Sequence, residues 1–225
     1  MRAVVRGSGE LLISAGLVLL LFVAYQLLWT NYEANRRTDQ VAGSLRDGWE
    51  RPPAPAATGV QTTKLKNGRG FAFLHIPRLG RSWSVPVVQG VSLPDLARGI
   101  GHYPGTALPG EVGNFAVAGH RATNGEPFAY LDQVQVGDLV VAETRQRWFT
   151  YVVDRTKIVS PTSVWVLDPV PGKPARTPTE SLVTLTTCNP RWASYERLIV
   201  FGHLVETRSK GEGPPSALVQ SGGKA

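Results

Sequence analysis

The chain has 225 residues, with 24 Lys plus Arg against 17 Asp plus Glu, a formal charge of +7, 42% apolar residues, 24 Gly, 17 Pro and a single Cys. One cysteine excludes an intrachain disulfide framework and a multi-cysteine zinc site, and the four histidines show no HxH or HxxxH spacing, so neither a metal nor another cofactor is expected. The charge does not point to nucleic acid: residues 71–206 carry 12 basic against 11 acidic side chains, and the excess lies in the flanks, where it suits anionic lipid headgroups or acidic wall polymers.

In chain order, residues 1–10 form a short polar N-terminus with Arg2 and Arg6. Residues 11–29, LLISAGLVLLLFVAYQLLW, carry no charge and as a helix are long enough to cross about 30 Å of hydrocarbon. A cleaved signal has an apolar core of roughly 7–15 residues followed by a small-residue cleavage site, and neither fits here. The expectation is an uncleaved single-pass signal anchor, with 1–10 cytoplasmic and the remainder outside. Charge alone leaves the direction open, because Arg2 and Arg6 are nearly balanced by Arg36 and Arg37.

Residues 30–70 read as an extracytoplasmic stalk. From Thr38 the segment is polar, with RPPAPAATG at 51–59 and NGRG at 67–70, a composition that favours extended or flexible backbone. Residues 71–206 hold short apolar or alternating runs bounded by Gly, Pro or Asp: 71–76, 82–88, 114–120, 139–143, 147–153, 163–167, 182–188 and 198–206. These are strand signals, with short helices expected at 92–99 and 127–134. The predicted fold class is all-β, a closed barrel of about eight strands, since closure removes exposed edges. Residues 207–225 have few large apolar side chains and read as a disordered tail.

Cys188 ends the run LVTLTTC and is followed by Asn189 and Pro190, which stop a ladder and leave the thiol at a strand terminus. A lone cysteine is ordinarily a small buried hydrophobe. Against that stand His120, at the end of GNFAVAGHR, and Arg197, at the start of the next strand. An adjacent imidazolium or guanidinium favours the thiolate that attacks carbonyls. His75 and His203 read as packing or rim histidines. His102, beside Tyr103 in a Gly- and Pro-rich turn, competes with His120 for the proton-carrying role.

TLTTC at 184–188, the arginine nine residues later and AGHR at 118–121 resemble the sortase family, over about Phe71 to Glu206. HYPGTALPGEVGNFAVAGHR at 102–121 and TTCNPR resemble class E, with class D the nearest alternative. The resemblance implies an eight-stranded sortase barrel and a two-step acyl transfer. It implies that Cys188 is the nucleophile, His120 the general acid and then base, and Arg197 the group that binds the carbonyl or developing oxyanion. It implies as partners secreted proteins with a C-terminal LAXTG- or LPXTG-type sorting signal, cut between Thr and Gly, and a peptidoglycan-precursor amine such as that of lipid II. Tyr103 is associated in class E with preference for LAXTG and is the expected substrate-binding residue. Two other readings stand beside this one. One is a membrane-tethered wall-binding scaffold with a structural cysteine. The other is an L,D-transpeptidase, whose motif would place His and Gly where Thr186 and Thr187 stand.

Overall fold

The computed structural model describes residues 2–51 and 65–219, without side-chain detail at 2–5, 8, 24, 26–28 and 30. A long helix, α1 (Arg2–Glu50), precedes eight strands: β1 (Gly70–His75), β2 (Ser84–Gln89), β3 (Ile100–His102), β4 (Gly113–Ala118), β5 (Leu139–Glu143), β6 (Arg147–Val159), β7 (Ser181–Asn189) and β8 (Glu196–Ser209). They close into a barrel in the order β1-β2-β3-β4-β7-β8-β6-β5, so the expected closed, eight-stranded all-β barrel is the observed architecture. The β2–β3 and β4–β7 pairs are parallel and the rest antiparallel. The short helix α2 (Leu93–Leu96), capped reciprocally by Ser92 and Asp95, makes the crossover that a parallel β2–β3 pair requires.

Alternation sorts each strand into two faces. Phe115 and Val117 of β4, Val183 and Leu185 of β7, and Leu198 and Val200 of β8 point into the barrel, where they join Leu74, Val87, Ile100, Phe128 and Tyr151. Fully burying a side chain of this size contributes about 1.5–3 kcal/mol, so this interior holds the fold together. The alternate residues, Thr184 and Thr186 of β7 with Ile199 and Phe201 of β8, lie on the outer face. Ile199 and Phe201 are covered there by Val166 and Trp165.

That covering corrects one expectation. The run 163–167, predicted as a strand, is a 3-10 turn, Val164–Leu167. Its backbone is held by Asn114, whose Nδ2 donates to Val166 O (3.0 Å) and Asp168 O (3.1 Å), while Asn114 Oδ1 accepts from Thr184 Oγ1 at 2.8 Å. An apolar run bounded by Pro161 and Pro169 thus serves as a cap on a sheet face, which periodicity alone does not separate from a buried strand. The eighth strand is instead β3, three residues long and containing a glycine. The helix expected over 127–134 shrinks to a 3-10 turn, Leu131–Gln133.

Two flanks differ more. Helix α1 runs on to Glu50, so the extended stalk expected from Thr38 is helical over 38–50; residues 52–64, which include most of the Pro-rich segment, lie outside the described residues. Ala34, Thr38, Val41, Leu45 and Trp49 recur at helical spacing and form a narrow stripe against the barrel. A Cβ on Gly70 would stand 2.8 Å from Val41 Cγ1, Trp49 meets the Phe73 ring edge-on at 5.4 Å, and the Arg46 guanidinium lies 4.5 Å from that ring's centre. The stripe escapes notice in the sequence because polar residues outnumber its few apolar ones.

The tail predicted disordered from 207 continues β8 to Ser209, then forms a 3-10 turn at Lys210–Glu212 and helix α3 (Ser216–Val219); residues 220–225 lie outside the described residues. Lys210 pairs with Glu143 and lies 3.8 Å from the Trp148 ring centre, which ties the tail down. The run 11–29 lies within α1. Among the described residues no helix is long and apolar enough to cross a membrane, and the expected anchor falls partly, at 24 and 26–28, outside the described side chains.

Candidate active site

The register brings three of the predicted residues together. In the antiparallel β7–β8 pair Cys188 stands directly opposite Arg197. In the parallel β4–β7 pair Ala118 is level with Thr186, and Gly119 N donates to Thr186 O at 3.1 Å, so the pairing runs past the end of β4. His120 follows Gly119, just past the last paired position, and Cys188 lies two residues beyond Thr186 on β7, so both leave neighbouring strands at the same end of the barrel. By alternation Cys188 and Arg197 belong to the outer face, on strands about 4.8 Å apart. Cys188 is a free, half-buried thiol.

Local chemistry explains why these strands end where they do. Thr186 Oγ1 donates to Val117 O at 3.2 Å and Thr187 Oγ1 to Gly119 O at 2.8 Å, so the last two of the three threonines of TLTTC stitch β7 to β4 just before the thiol. Gly119 is required between Ala118 and His120. A Cβ there would stand 2.5 Å from the ring of buried Phe128, whose own N–H closes the turn onto His120 O at 3.0 Å. Burial lowers the His120 pKa from its ordinary value of 6.5, because a half-buried imidazole loses hydration when charged. Its Nε2 accepts a long hydrogen bond, 3.3 Å, from Asn124 Nδ2.

Arg197 Nη1 donates to Ser194 O (2.7 Å) and Glu196 O (2.8 Å), bonds that hold the guanidinium against its own loop. No carboxylate pairs with it among the described residues. Its Nε and Nη2 protons are therefore available to an incoming acceptor.

Tyr103 also reaches this face. Its hydroxyl lies 3.2 Å from Thr186 Oγ1, one same-face position along β7 from Cys188. Because Thr186 spends its single hydroxyl proton on Val117 O, the Tyr103 O–H is the donor in that contact. The phenolic oxygen's lone pairs remain unused.

The competing histidines are committed elsewhere. His102 is 2% exposed, with Nδ1 2.7 Å from Gln89 Oε1 and Nε2 3.0 Å from both Ala107 O and Thr106 Oγ1, and its ring stacks on Phe115. His75 meets Glu143 at 2.7 Å and His203 meets Asp154 at 2.7 Å.

The main residue that sequence reasoning passed over is Arg121. It is 6% exposed, and its guanidinium donates to Cys188 O (3.2 Å) and Asn189 Oδ1 (2.6 Å) and pairs with Asp132 at 3.0 Å. It holds the cysteine-bearing backbone against the histidine loop. The signal lay inside AGHR, as a charge directly after a strand of apolar residues. Glu126 and Arg191, paired at 2.5 Å, join the same two loops one step further out. Neither carries a sequence pattern that would have marked it.

The Sortase domain model matches residues 74–205. Sortase SrtE1 of Streptomyces coelicolor is 42% identical over 95% of this chain, and the chain spans 61% of that protein's length. The structure of sortase E from Streptomyces avermitilis is 45% identical, with a TM-score of 0.63 over 68% of this chain and 99% of that one. The crystal structure of sortase E1 from Streptomyces coelicolor, which holds a tripeptide in its active site, is 41% identical, with a TM-score of 0.61 over 67% of this chain and 97% of that one.

Proposed function

The chain belongs to the sortase family and is similar to its class E members, and on that premise we propose that it is a membrane-anchored cysteine transpeptidase that cuts a C-terminal sorting signal between Thr and Gly. The observation that carries the reading is that Cys188 stands directly opposite Arg197 on the outer face, while the strand leading into His120 pairs with the cysteine's own strand as far as Thr186.

In this reading Cys188 gives its proton to neutral His120 and its sulfur attacks the threonine carbonyl. The oxygen that becomes negative is met by the free donors of Arg197. The C–N bond then breaks, the glycine amine leaves with the proton held on His120, and a thioester remains on Cys188. An incoming amine attacks that thioester, loses its proton to His120, and takes the acyl group as the C–S bond breaks. The lowered pKa of His120 keeps it neutral near pH 7, ready to accept a proton at each start. A lipid-linked wall-precursor amine such as lipid II is the proposed acceptor.

Tyr103 is the proposed specificity residue. An alanine at the second signal position has a backbone N–H that proline lacks, and the unused lone pairs of the phenolic oxygen are acceptors for it. The anchor is proposed over 11–29, with the barrel extracytoplasmic. Its support is that described apolar side chains on every side of this stretch of α1, from Leu11 (72%) and Ile13 (74%) to Phe22 (55%), are exposed rather than packed on the barrel.

The test is incubation of the detergent-solubilised full chain with LAXTG and LPXTG peptides, followed by intact-mass measurement. A thioester-linked adduct on Cys188 that hydroxylamine removes is expected. The scaffold reading predicts no adduct with either peptide and wall binding that survives alkylation of the thiol.

A further inference from the structure

Helix α1 lies along the barrel in a fixed direction. Asn31 and Ala34 touch the loop after His120, Val41 meets Gly70 at the start of β1, and Arg51, at the opposite end, is bonded by Arg145 in the β5–β6 hairpin. The apolar run 11–29 therefore leaves the molecule from the catalytic end. Asn31 Nδ2 donates to Glu126 Oε1 at 3.2 Å, and its Oδ1 accepts from Gly125 N at 3.4 Å. At about 1.5 Å per residue, Asn31 stands roughly 3 Å beyond the end of the run.

On both sides of the Asn31–Glu126 contact the surface carries exposed aromatic rings. On the helix, Tyr25, Trp29 and Tyr32 are 52–56% exposed and follow one another at ring distances of 5.8 and 6.1 Å. On the barrel, the β7–β8 loop presents Trp192 at 76% and Tyr195 at 68% exposure, and Tyr130 beside it is 53% exposed. Arg191 ties them together: its guanidinium lies 4.9 Å from the Tyr130 ring and 5.0 Å from the Trp192 ring, while Glu126 neutralises it. Exposed rings cost free energy in water, but an apolar body with a polar tip is what the headgroup zone of a bilayer accommodates. Because Arg191 is paired, the aromatic rings rather than net charge would carry the contact.

We propose that the β7–β8 loop, through Trp192 and Tyr195 with Tyr130 beside them, is a membrane-docking surface that seats the catalytic rim in the headgroup region of the bilayer. The proposal rests on the anchor reading above, since α1 sets the level. Its occupant is the lipid surface, favoured by continuity with the exposed aromatics that end the apolar run. Cys188, four residues before Trp192, then faces the membrane, where the amine of a lipid-linked acceptor is presented and a soluble one is not.

The chain has one cysteine, so Cys188→Ala provides a background for single nitroxide labels. Labels are placed by Ser194→Cys between the two aromatics, by Val112→Cys at the far end of the barrel, and by Val18→Cys in the apolar run. The full chain is reconstituted in phosphatidylcholine and phosphatidylglycerol vesicles, and collision with oxygen and with a water-soluble nickel chelate is measured. The label at 194 is expected to show at least a twofold higher oxygen-to-nickel ratio than that at 112, and to lose this when Trp192→Ser and Tyr195→Ser are added. Equal ratios at 194 and 112, with the label at 18 at lipid depth, overturn the docking surface and leave the anchor standing. Low collision with both reagents at 194 means a protein covers the loop and also overturns it. A label at 18 open to nickel overturns the anchor and the docking surface with it.

Discussion

His102 and His120 lie on adjacent parts of the barrel wall, and burial lowers the pKa of both, yet their surroundings differ. His102 has both ring nitrogens in short contacts and an aromatic ring on either side, so a proton gained or lost there breaks a satisfied interior network. His120, just past the end of β4, has among the described residues one long side-chain hydrogen bond, from a loop asparagine. A lowered pKa therefore does not by itself separate a catalytic histidine from a structural one; the proposed assignment rests on the unspent hydrogen-bonding capacity of His120.

The sharpest way to break this contrast is to remove each histidine in turn. Cys188→Ala and His120→Ala are expected to lower peptide cleavage by at least about 10³-fold with unchanged melting, since residues that act as one unit fail together. His102→Ala should instead cost about 1–3 kcal/mol in denaturant melts, because Gln89 and Thr106 lose a buried partner, while turnover per folded molecule stays within a few-fold. Equal loss of turnover in the two histidine variants, at equal folded fraction, would reverse the assignment.

Arg197→Lys comes next, with an expected loss of roughly 10²-fold in kcat. Lysine keeps the charge, but its single ammonium cannot both hold the loop carbonyls of Ser194 and Glu196 and donate to substrate. Full activity in that variant would make Arg197 a loop brace and nothing more. A smaller effect is expected for Tyr103→Phe, which should narrow the kcat/KM ratio between LAXTG and LPXTG peptides by about 1 kcal/mol, mainly by slowing the first. An unchanged ratio in both Tyr103→Phe and Tyr103→Ala would place selection elsewhere on the face.

The smallest effect is in pH dependence. Because burial depresses the His120 pKa, its neutral form persists below 6.5, and the acid limb of kcat/KM should have its midpoint below that value. The sign for stability is the same: the fold favours neutral His120, so this contribution is present above pH 6.5 and is lost as pH falls through the lower folded value. Asn124→Gly, which tolerates the backbone φ of 52° at that position but drops the side-chain amide, should loosen the loop, hydrate His120 and raise the midpoint by less than about one unit. No movement in Asn124→Gly would show that this amide has no part in the proton carrier's environment.

Much of this was legible in the chain because it depends on local pattern. Alternation in LVTLTTC, the stop at Asn189–Pro190 and the glycine before His120 are visible one residue at a time, and they place a thiol and an imidazole at strand ends. The run 163–167 misled because an apolar pentapeptide has the same pattern whether it pairs in a ladder or caps a sheet face. Strand β3 was missed because three residues with a central glycine carry no period. Arg121 was legible as a residue but not as a role, since its partners Cys188 and Asn189 lie more than sixty positions away.

Composition and periodicity thus determined the all-β class and the apolar run, while the resemblance to sortases singled out the side chains expected to carry acyl transfer. Only the closed barrel decided that the strand leading into His120 lies beside the one that ends at Cys188, because that depends on the pairing of β4 with β7, strands separated by two others in sequence. It also decided that the His102 ring is hydrogen-bonded at both nitrogens in the interior, and which end of the barrel α1 leaves from. A chain can specify each strand's two faces by alternation alone. Which strand lies beside which, and how far each is shifted along its neighbour, is settled by burying all of those inner faces in one core.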